Sequence, residues 1–260
     1  MQISSYAFSQ RGTGKVRNED AILLDCNVDQ GHVREQAVVD AAQPRHFAIA
    51  DGVAISTQPH IASRRLLELL QMRLAAAPAH ASMSTLLHQV QRDYVALSVS
   101  PQFEGMASTL VGVRLVGNIA TVFNVGDSRA YVFNGDAQSA HARLLTRDHS
   151  VLNDMIDEGE IAPEQAHDAA SFLRGLTSQF VADTECDEFK VNVVTHTLLP
   201  DEILVLCSDG LNEVLSDAQI AELLVTDHSV EGLLNVCKVS RRFGGTDDFS
   251  VIVLSKRPSD

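Results

Sequence analysis

The chain has 260 residues, 45% of them hydrophobic, which is enough to bury a substantial core. Its 20 basic and 34 acidic residues give a net charge of −14, which argues against a nucleic acid or an anionic membrane as its main partner. No stretch is long and apolar enough to span a bilayer, and the chain does not open on a signal-peptide pattern. We therefore expect one domain over residues 1–260, acting as a monomer in the cytoplasm.

The first strands are short and lead to an apolar run that ends in a carboxylate. Strands are predicted over residues 6–10 and 21–24, and residues 26–45 show no clear period, which favours an irregular excursion or a weak hairpin. Residues 47–50 are continuously apolar and are typical of a strand buried on both faces. Asp51 and Gly52 follow this strand directly.

Two helices are predicted next. A proline in the first turn and the apolar spacing indicate a helix over residues 59–77, and serine caps indicate a second over residues 82–97. Because the connection between them is short, we expect them to pack antiparallel on one side of a sheet.

The middle of the chain changes to the period of strands, which are predicted over residues 107–115, 119–125, 129–133 and 142–145. Asn134-Gly135 is the strongest hairpin signal in the sequence. Connections this short force neighbouring strands to run antiparallel. This excludes a doubly wound nucleotide-binding sheet.

The last part of the chain mixes helices and strands. Two short acidic helices are predicted over residues 148–159 and 163–170, and residues 171–183 are expected to form a mobile flap. The remaining elements are predicted strands at 189–197, 203–207 and 249–254 and predicted helices at 216–224 and 230–240. The strand at 203–207 leads to Asp209-Gly210, which repeats the arrangement at Asp51-Gly52.

Carboxylates therefore stand at several strand ends and turns. The clusters are Glu19-Asp20, Asp51, Asp127, Asp209 and Asp247-Asp248. Each alone is typical of a solvated turn. Gathered in one place, they would remain ionised only around cations, and oxygen ligands without histidine or cysteine select Mg²⁺ or Mn²⁺. The four cysteines, Cys26, Cys186, Cys207 and Cys237, show no metal or disulfide spacing and are interpreted as free thiols.

Seven short motifs follow one another in a fixed order over nearly the whole chain. They are Asn18-Glu19-Asp20, Ala50-Asp51-Gly52, Ala107-Ser108-Thr109-Leu110, Asn124-Val125-Gly126-Asp127-Ser128-Arg129, Thr146-Arg147-Asp148-His149-Ser150, Cys207-Ser208-Asp209-Gly210-Leu211 and Gly245-Thr246-Asp247-Asp248-Phe249-Ser250-Val251. Together they resemble the motifs of metal-dependent PP2C-type (PPM) serine/threonine protein phosphatases, as a bacterial-type catalytic domain. The resemblance implies an α+β fold, a four-layer α-β-β-α sandwich in which helix pairs flank two packed antiparallel sheets.

The resemblance also implies a metal site in a cleft at one end of the sandwich. Asp51 would bridge two Mn²⁺ or Mg²⁺ ions, and Gly52 would supply a carbonyl oxygen. Asp209 and Asp247 would complete the ligands of the first ion, and Asp127 would share a third ion with Asp209. The implied reaction is hydrolysis of phosphoserine and phosphothreonine in proteins, the products of a Ser/Thr kinase, by a water that the metals activate.

The residues around Asn18 are expected to assist. By the same resemblance, Asp20, with Glu19, would hold waters bound to the metals. Family members place an arginine three residues before the asparagine to grip the phosphate, whereas this chain has Lys15 there and Arg17 adjacent to Asn18. Because bidentate phosphate contact favours arginine, we predict that Arg17 takes this role, with Lys15 as the alternative.

Two other functions remain open. Residues 53–56 replace the glycine-rich run that usually follows Asp-Gly in this family. For this reason, a catalytically reduced module that binds a phosphoprotein or a signalling partner remains an alternative. A metal phosphohydrolase acting on small phosphates is disfavoured because the motif order matches the protein phosphatases. We expect His149 to have a structural hydrogen-bonding role and Arg129 to pair with a carboxylate.

Overall fold

The computed structural model describes residues 1–78, 80–134, 141–168, 170–185 and 189–256. The strands in these ranges are β1 Gln2–Gln10, β2 Asp20–Leu24, β3 Asn27–Gln30, β4 Val33–Asp40, β5 Arg45–Asp51, β6 Ala107–Ser108, β7 Leu110–Val116, β8 Ile119–Val125, β9 Arg129–Asn134, β10 Ala142–Leu144, β11 Phe180–Val181, β12 Asn192–Thr197, β13 Glu202–Cys207 and β14 Phe249–Lys256. The α-helices are α1 Pro59–Ala76, α2 Met83–Val95, α3 Val151–Asp157, α4 Asp209–Asn212, α5 Asp217–Thr226 and α6 Val230–Arg242.

Two six-stranded antiparallel sheets form the centre of the fold. The first has the strand order β10-β9-β13-β14-β1-β4, and the second has the order β12-β8-β7-β5-β2-β3. Because side chains alternate along a strand, β13 directs Leu204 and Leu206 into the core between the sheets and Val205 to the opposite face. In the same way, Ile49 of β5 lies between the sheets and Ala48 faces outward.

Helices cover both outer faces. Leu66 and Leu70 of α1 and Leu87 of α2 pack in one cluster with the outward face of β5. Ile220 of α5 and Val236 of α6 pack in another cluster with the outward face of β13. The expected four-layer α-β-β-α sandwich of two antiparallel sheets flanked by helix pairs is confirmed.

The prediction for residues 26–45 was wrong. This segment forms β3 and β4, which do not pair with each other. β3 lies at the edge of the second sheet beside β2, and β4 lies at the edge of the first sheet beside β1. Most side chains of β4 are exposed, so this edge strand has no buried apolar face that would give it a readable period.

Three further predictions have mixed outcomes. In the segment expected to be a mobile flap, Phe180 is fully buried and β11 pairs with β6, so this part is fixed to the sandwich. The strands β9 and β10 that flank the expected Asn134-Gly135 hairpin pair antiparallel, but Gly135 lies outside the described residues. The short helix predicted at 163–170 is a 3₁₀ helix over Pro163–Asp168.

Cysteines and membrane segments can also be compared with expectation. Cys26 is exposed, Cys207 and Cys237 are buried, and all three are free, whereas Cys186 lies outside the described residues. In the ranges that the structure covers, no helix has both the length and the apolar character needed to cross a membrane.

Candidate metal centre

The two sheets bring three aspartates together at one end of the sandwich. β5 ends at Asp51, which is the cross-strand partner of Asp20 at the start of β2. In the other sheet, β13 ends just before Ser208 and Asp209. The Ser208 hydroxyl donates to Asp20 Oδ2 at 2.8 Å, so a hydrogen bond joins the two sheets at this point.

A cavity of about 140 Å³ opens between these strand ends. Its lining includes Asp51, Gly52, Asp127, Asp209 and Asp247, which are distant in sequence. These are the residues assigned to the metals from the sequence, except Glu19. The topology therefore brings the predicted ligands to one place.

Burial and mutual repulsion raise the pKa values of these carboxyls. Burial, followed by repulsion from Asp20 and Asp209, raises the pKa of Asp51 well above its usual value. Burial and then the charge of Asp209 raise the pKa of Asp127 to about 7, and burial and then the charge of Asp247 raise that of Asp209 to about 6. A positive charge in the cavity would relieve this repulsion.

One cation of the chain already contacts the cluster. Lys15 Nζ lies 2.7 Å from Glu19 Oε2, 3.0 Å from Asp248 Oδ2 and against the carboxylate of Asp247. Burial lowers the pKa of Lys15, but hydrogen bonds to Asp247, Glu19 and Asp248 outweigh it and raise that pKa above its usual value. Lys15 therefore holds a positive charge at the wall of the cavity.

Asp248 has a role that sequence reasoning missed. It is 1% exposed, and it accepts hydrogen bonds from the backbone N–H groups of Gly12 at 2.7 Å and Glu19 at 2.8 Å, as well as from Lys15. It therefore fixes the loop that carries Lys15 and Glu19 against β14. The doubled Asp247-Asp248 was the available signal, but a sequence does not show which of two adjacent carboxylates faces inward.

Glycine is required at position 52. Its N–H donates to the carbonyl of Glu19 at 3.1 Å, and a Cβ at this position would overlap the backbone carbonyl of Pro59. The N–H of Thr109 donates to the carbonyl of Asp51 at 2.8 Å, which fixes the end of β5 from the other side. The backbone around Asp51 is thus held rigidly.

The turn that carries Asp127 is also supported. Gly126 has φ +100°, and its N–H donates to His149 Nδ1 at 3.0 Å. Arg129 Nη2 lies 2.7 Å from Asp148 Oδ2. The structural role expected for His149 and the carboxylate partner expected for Arg129 are confirmed.

Arg17 forms no ion pair with a carboxylate in the part of the chain that the structure describes. Its guanidinium is exposed, and Nη1 lies 2.8 Å from Nε2 of His60. The structure therefore brings Lys15, rather than Arg17, into contact with the acidic cluster.

The residues present fit hard divalent cations. No three acidic, histidine or cysteine side chains in the described ranges are arranged as a complete ligand set for one ion. Nevertheless, all the donors that converge on the cavity are oxygens, and Oδ1 of Asp20 and Oδ1 of Asp209 are buried with no hydrogen-bond partner. Buried carboxylate oxygens without partners are stabilised by cations.

Comparison with known proteins identifies the family. A family model described as protein phosphatase 2C matches residues 26–238, which is most of the chain. The chain belongs to the protein phosphatase 2C family. Five of the seven motifs that suggested this family contribute residues to the lining of the cavity.

This protein phosphatase 2C chain is similar to bacterial serine/threonine phosphatases. It is 26% identical over 254 residues to the serine/threonine protein phosphatase PstP of Mycobacterium tuberculosis, a match that covers 95% of this chain and 44% of that relative. The chain thus spans less than half the length of PstP. It is 27% identical over 220 residues to the serine/threonine phosphatase stp of Listeria innocua, covering 80% of this chain and 83% of that relative.

Among solved structures, the catalytic domain of PstP in complex with two manganese ions has the same fold. The TM-score is 0.72 at 23% sequence identity, and the match covers 98% of this chain and 99% of that one. At this identity the likeness concerns the fold.

Proposed function

We propose that this chain is a metal-dependent phosphatase that hydrolyses phosphoserine and phosphothreonine in proteins with Mn²⁺ or Mg²⁺. The observation that carries the proposal is the convergence of Asp51, Asp127, Asp209 and Asp247 on one cavity at the end of the sandwich. Membership of the protein phosphatase 2C family and the names of the relatives support it. The manganese ions in the PstP structure support the choice of metal.

We assign the metals to the residues that the family resemblance implies and that line the cavity. Asp51 and the carbonyl of Gly52 would hold two ions, Asp209 and Asp247 would complete the ligands of one of them, and Asp127 would share a third with Asp209. When bound, the ions neutralise charge on the phosphoryl oxygens and make water a stronger nucleophile.

Lys15 in the cavity wall, and Asp20 and Glu19 beside it, are assigned to orienting the reactants. We assign the phosphate contact to Lys15, because its ammonium stands at the wall of the cavity whereas Arg17 faces His60. Asp20 Oδ1 is buried without a hydrogen-bond partner, while Ser208 fixes Oδ2, and we assign to Oδ1 the water contact that the family resemblance implies. Glu19 holds Lys15 in place at 2.7 Å.

The proposal extends to the biological setting. Its substrates are proteins phosphorylated by a Ser/Thr kinase, and the enzyme acts as a monomer in the cytoplasm. The free thiols of Cys26, Cys207 and Cys237 fit a reducing compartment. Size-exclusion chromatography with light scattering tests the monomer.

Activity measurements test the proposal directly. Turnover of p-nitrophenyl phosphate and of a phosphothreonine peptide is measured in EDTA and in MnCl₂ for the wild type, for Asp209→Asn and for Asp201→Asn, which removes an exposed aspartate outside the cavity. We expect peptide turnover that requires Mn²⁺ and falls roughly 100-fold or more in Asp209→Asn only. Metal binding without turnover would instead indicate the catalytically reduced module, and turnover of the small phosphate alone would indicate a different phosphohydrolase.

A further inference from the structure

A second pocket lies beside the candidate metal centre and has the opposite charge. Its volume is about 660 Å³, and no carboxylate lines it. We call it the basic pocket after its charged and histidine lining residues, Arg11, Arg17, His32, His60 and Arg64. In a chain with a net charge of −14, such a group of basic side chains creates a local positive field that favours an anionic ligand.

Hydrogen bonds between three segments fix the walls of the basic pocket. Asn18 Nδ2 donates to the carbonyl of Gly31 at 2.6 Å, and Gln30 Nε2 donates to the carbonyl of His60 at 2.7 Å. These bonds join the loop before β2, the turn after β3 and the first turn of α1. The pocket is therefore formed by the fold itself before any ligand binds.

Two arginines of the basic pocket have no carboxylate partner in the described part of the chain. Arg11 Nη1 donates to a backbone carbonyl at 2.9 Å, and Arg17 Nη1 lies 2.8 Å from Nε2 of His60. Partial burial and then the charge of Arg17 lower the pKa of His60, so its neutral ring can accept this hydrogen bond. Arg64, in contrast, pairs with Glu68 at 3.0 Å. The remaining N–H groups of Arg11 and Arg17 are available to a phosphate or carboxylate.

The basic pocket and the metal centre are joined by neighbouring residues, although no described residue lines both. Gly52 donates to the carbonyl of Glu19 and lies against the carbonyl of Pro59. Asn18 and His60, the neighbours of those two residues in sequence, line the basic pocket. Because an extended peptide advances roughly 3.3–3.6 Å per residue, we expect a substrate segment of a few residues to reach from one pocket to the other.

We propose that the basic pocket binds a second anionic group of the phosphoprotein substrate, two to four residues from the phosphate that is hydrolysed. The inference rests on the proposed function and defines its substrate class as segments that are multiply phosphorylated or acidic near the target residue. Arg11 and Arg17 donate the hydrogen bonds to this group. A second phosphate binds more tightly than a carboxylate, because it carries more charge and matches the planar guanidinium groups of both arginines.

A peptide series tests this inference. Phosphothreonine peptides of one length carry glutamine, glutamate or a second phosphothreonine at two, three or four residues on either side of the target. The kcat and KM for the first phosphate released are measured in Mn²⁺ for the wild type, for the double variant Arg11→Gln/Arg17→Gln, and for Arg92→Gln, which removes an exposed arginine on α2. Circular dichroism checks folding, and the wild type is also measured in 50 mM and 500 mM NaCl.

We expect the doubly phosphorylated peptide to exceed the glutamine peptide in kcat/KM on the order of tenfold, with glutamate between them and the difference mainly in KM. This preference should fall towards one in the double variant and in high salt, and should persist in Arg92→Gln. A wild type that hydrolyses all peptides equally would overturn the docking inference and leave the proposed function intact. A wild type that hydrolyses none of them would overturn the proposed function. A preference that survives in the folded double variant would also refute the role of the basic pocket.

Discussion

The contact between Lys15 and the acidic cluster yields a prediction about metal affinity. The Lys15 ammonium lies against Asp247, which is also a proposed metal ligand. A metal ion in the cavity and the ammonium therefore repel each other and share a carboxylate. We expect Lys15→Met to bind Mn²⁺ more tightly than the wild type.

The magnitude follows from Coulomb's law. Two unit charges about 4 Å apart interact by roughly 1 kcal/mol in water. The ammonium therefore weakens the binding free energy of a nearby divalent ion by about 2 kcal/mol. This corresponds to an affinity increase of roughly 30-fold in Lys15→Met. Without metal the same variant should lose about 3 kcal/mol of stability, because the buried carboxylate of Asp248 loses its cation.

Calorimetric titration with MnCl₂ and thermal unfolding in EDTA and in MnCl₂ measure the two effects. Lys15→Arg keeps the charge, and Lys238→Met removes a positive charge from the exposed face of α6, so both serve as controls. The metal-free form of Lys15→Met should melt at a lower temperature than the wild type and should gain more from Mn²⁺. Equal or weaker Mn²⁺ binding in Lys15→Met would refute the reasoning.

Three further predictions concern stability. Because the pKa values of Asp20 and Asp127 are raised to about 7 and that of Asp209 to about 6, the folded state binds more protons than the unfolded state between about pH 4 and pH 7. The stability that these protonated carboxyls provide in EDTA is therefore lost as the pH rises through this window. The melting temperature of the wild type minus that of Asp209→Asn, both measured in EDTA, should fall from pH 5 to pH 7.5. Burial lowers the pKa of His149, so the stability that its neutral ring provides is present at pH 7.5 and lost as the pH falls through that lowered pKa. The difference in melting temperature between the wild type and His149→Gln should shrink from pH 7.5 to pH 5. The free energy of unfolding of Gly52→Ala, measured in urea, should be about 3 kcal/mol lower than that of the wild type, because the added Cβ meets a backbone carbonyl that cannot move aside.

Each of these has a clear contrary result. A difference between the wild type and Asp209→Asn that is constant with pH would contradict the repulsion among the carboxylates. A His149→Gln deficit that grows in acid would mean that the ring is charged in the folded protein. A Gly52→Ala variant as stable as the wild type would show that the end of β5 can shift.

The sequence predicted the centre of the fold better than its edges. β5 and β13 were recognisable because strands buried between layers are continuously apolar, and the short connection between β7 and β8 allowed only antiparallel pairing. The same expectation for β8 and β9 was wrong, because the short turn between them carries the chain from one sheet to the other and the two strands do not pair. β3 and β4 were not recognised because edge strands with exposed faces lack this pattern. The pairing of β4 with β1 is also nonlocal, and no turn signal announces it.

The candidate site was predicted in composition but not in its contacts. Asp51, Asp127 and Asp209 stand at strand ends, where motif order and backbone pattern indicate them. The choice between Lys15 and Arg17 depends on the path of an irregular loop, which hydrogen bonds to Asp248 determine. The basic pocket was missed for the same reason, since its lining comes from three separate segments that only the fold brings together.

The most direct test of the central claim is an anomalous diffraction experiment on crystals grown with MnCl₂. The account predicts strong manganese peaks inside the cavity, with ions within about 2.5 Å of carboxylate oxygens of Asp51 and Asp209. A fully resolved cavity without a manganese peak, with manganese only at exposed surface carboxylates, would contradict the proposed metal centre and with it the hydrolytic function.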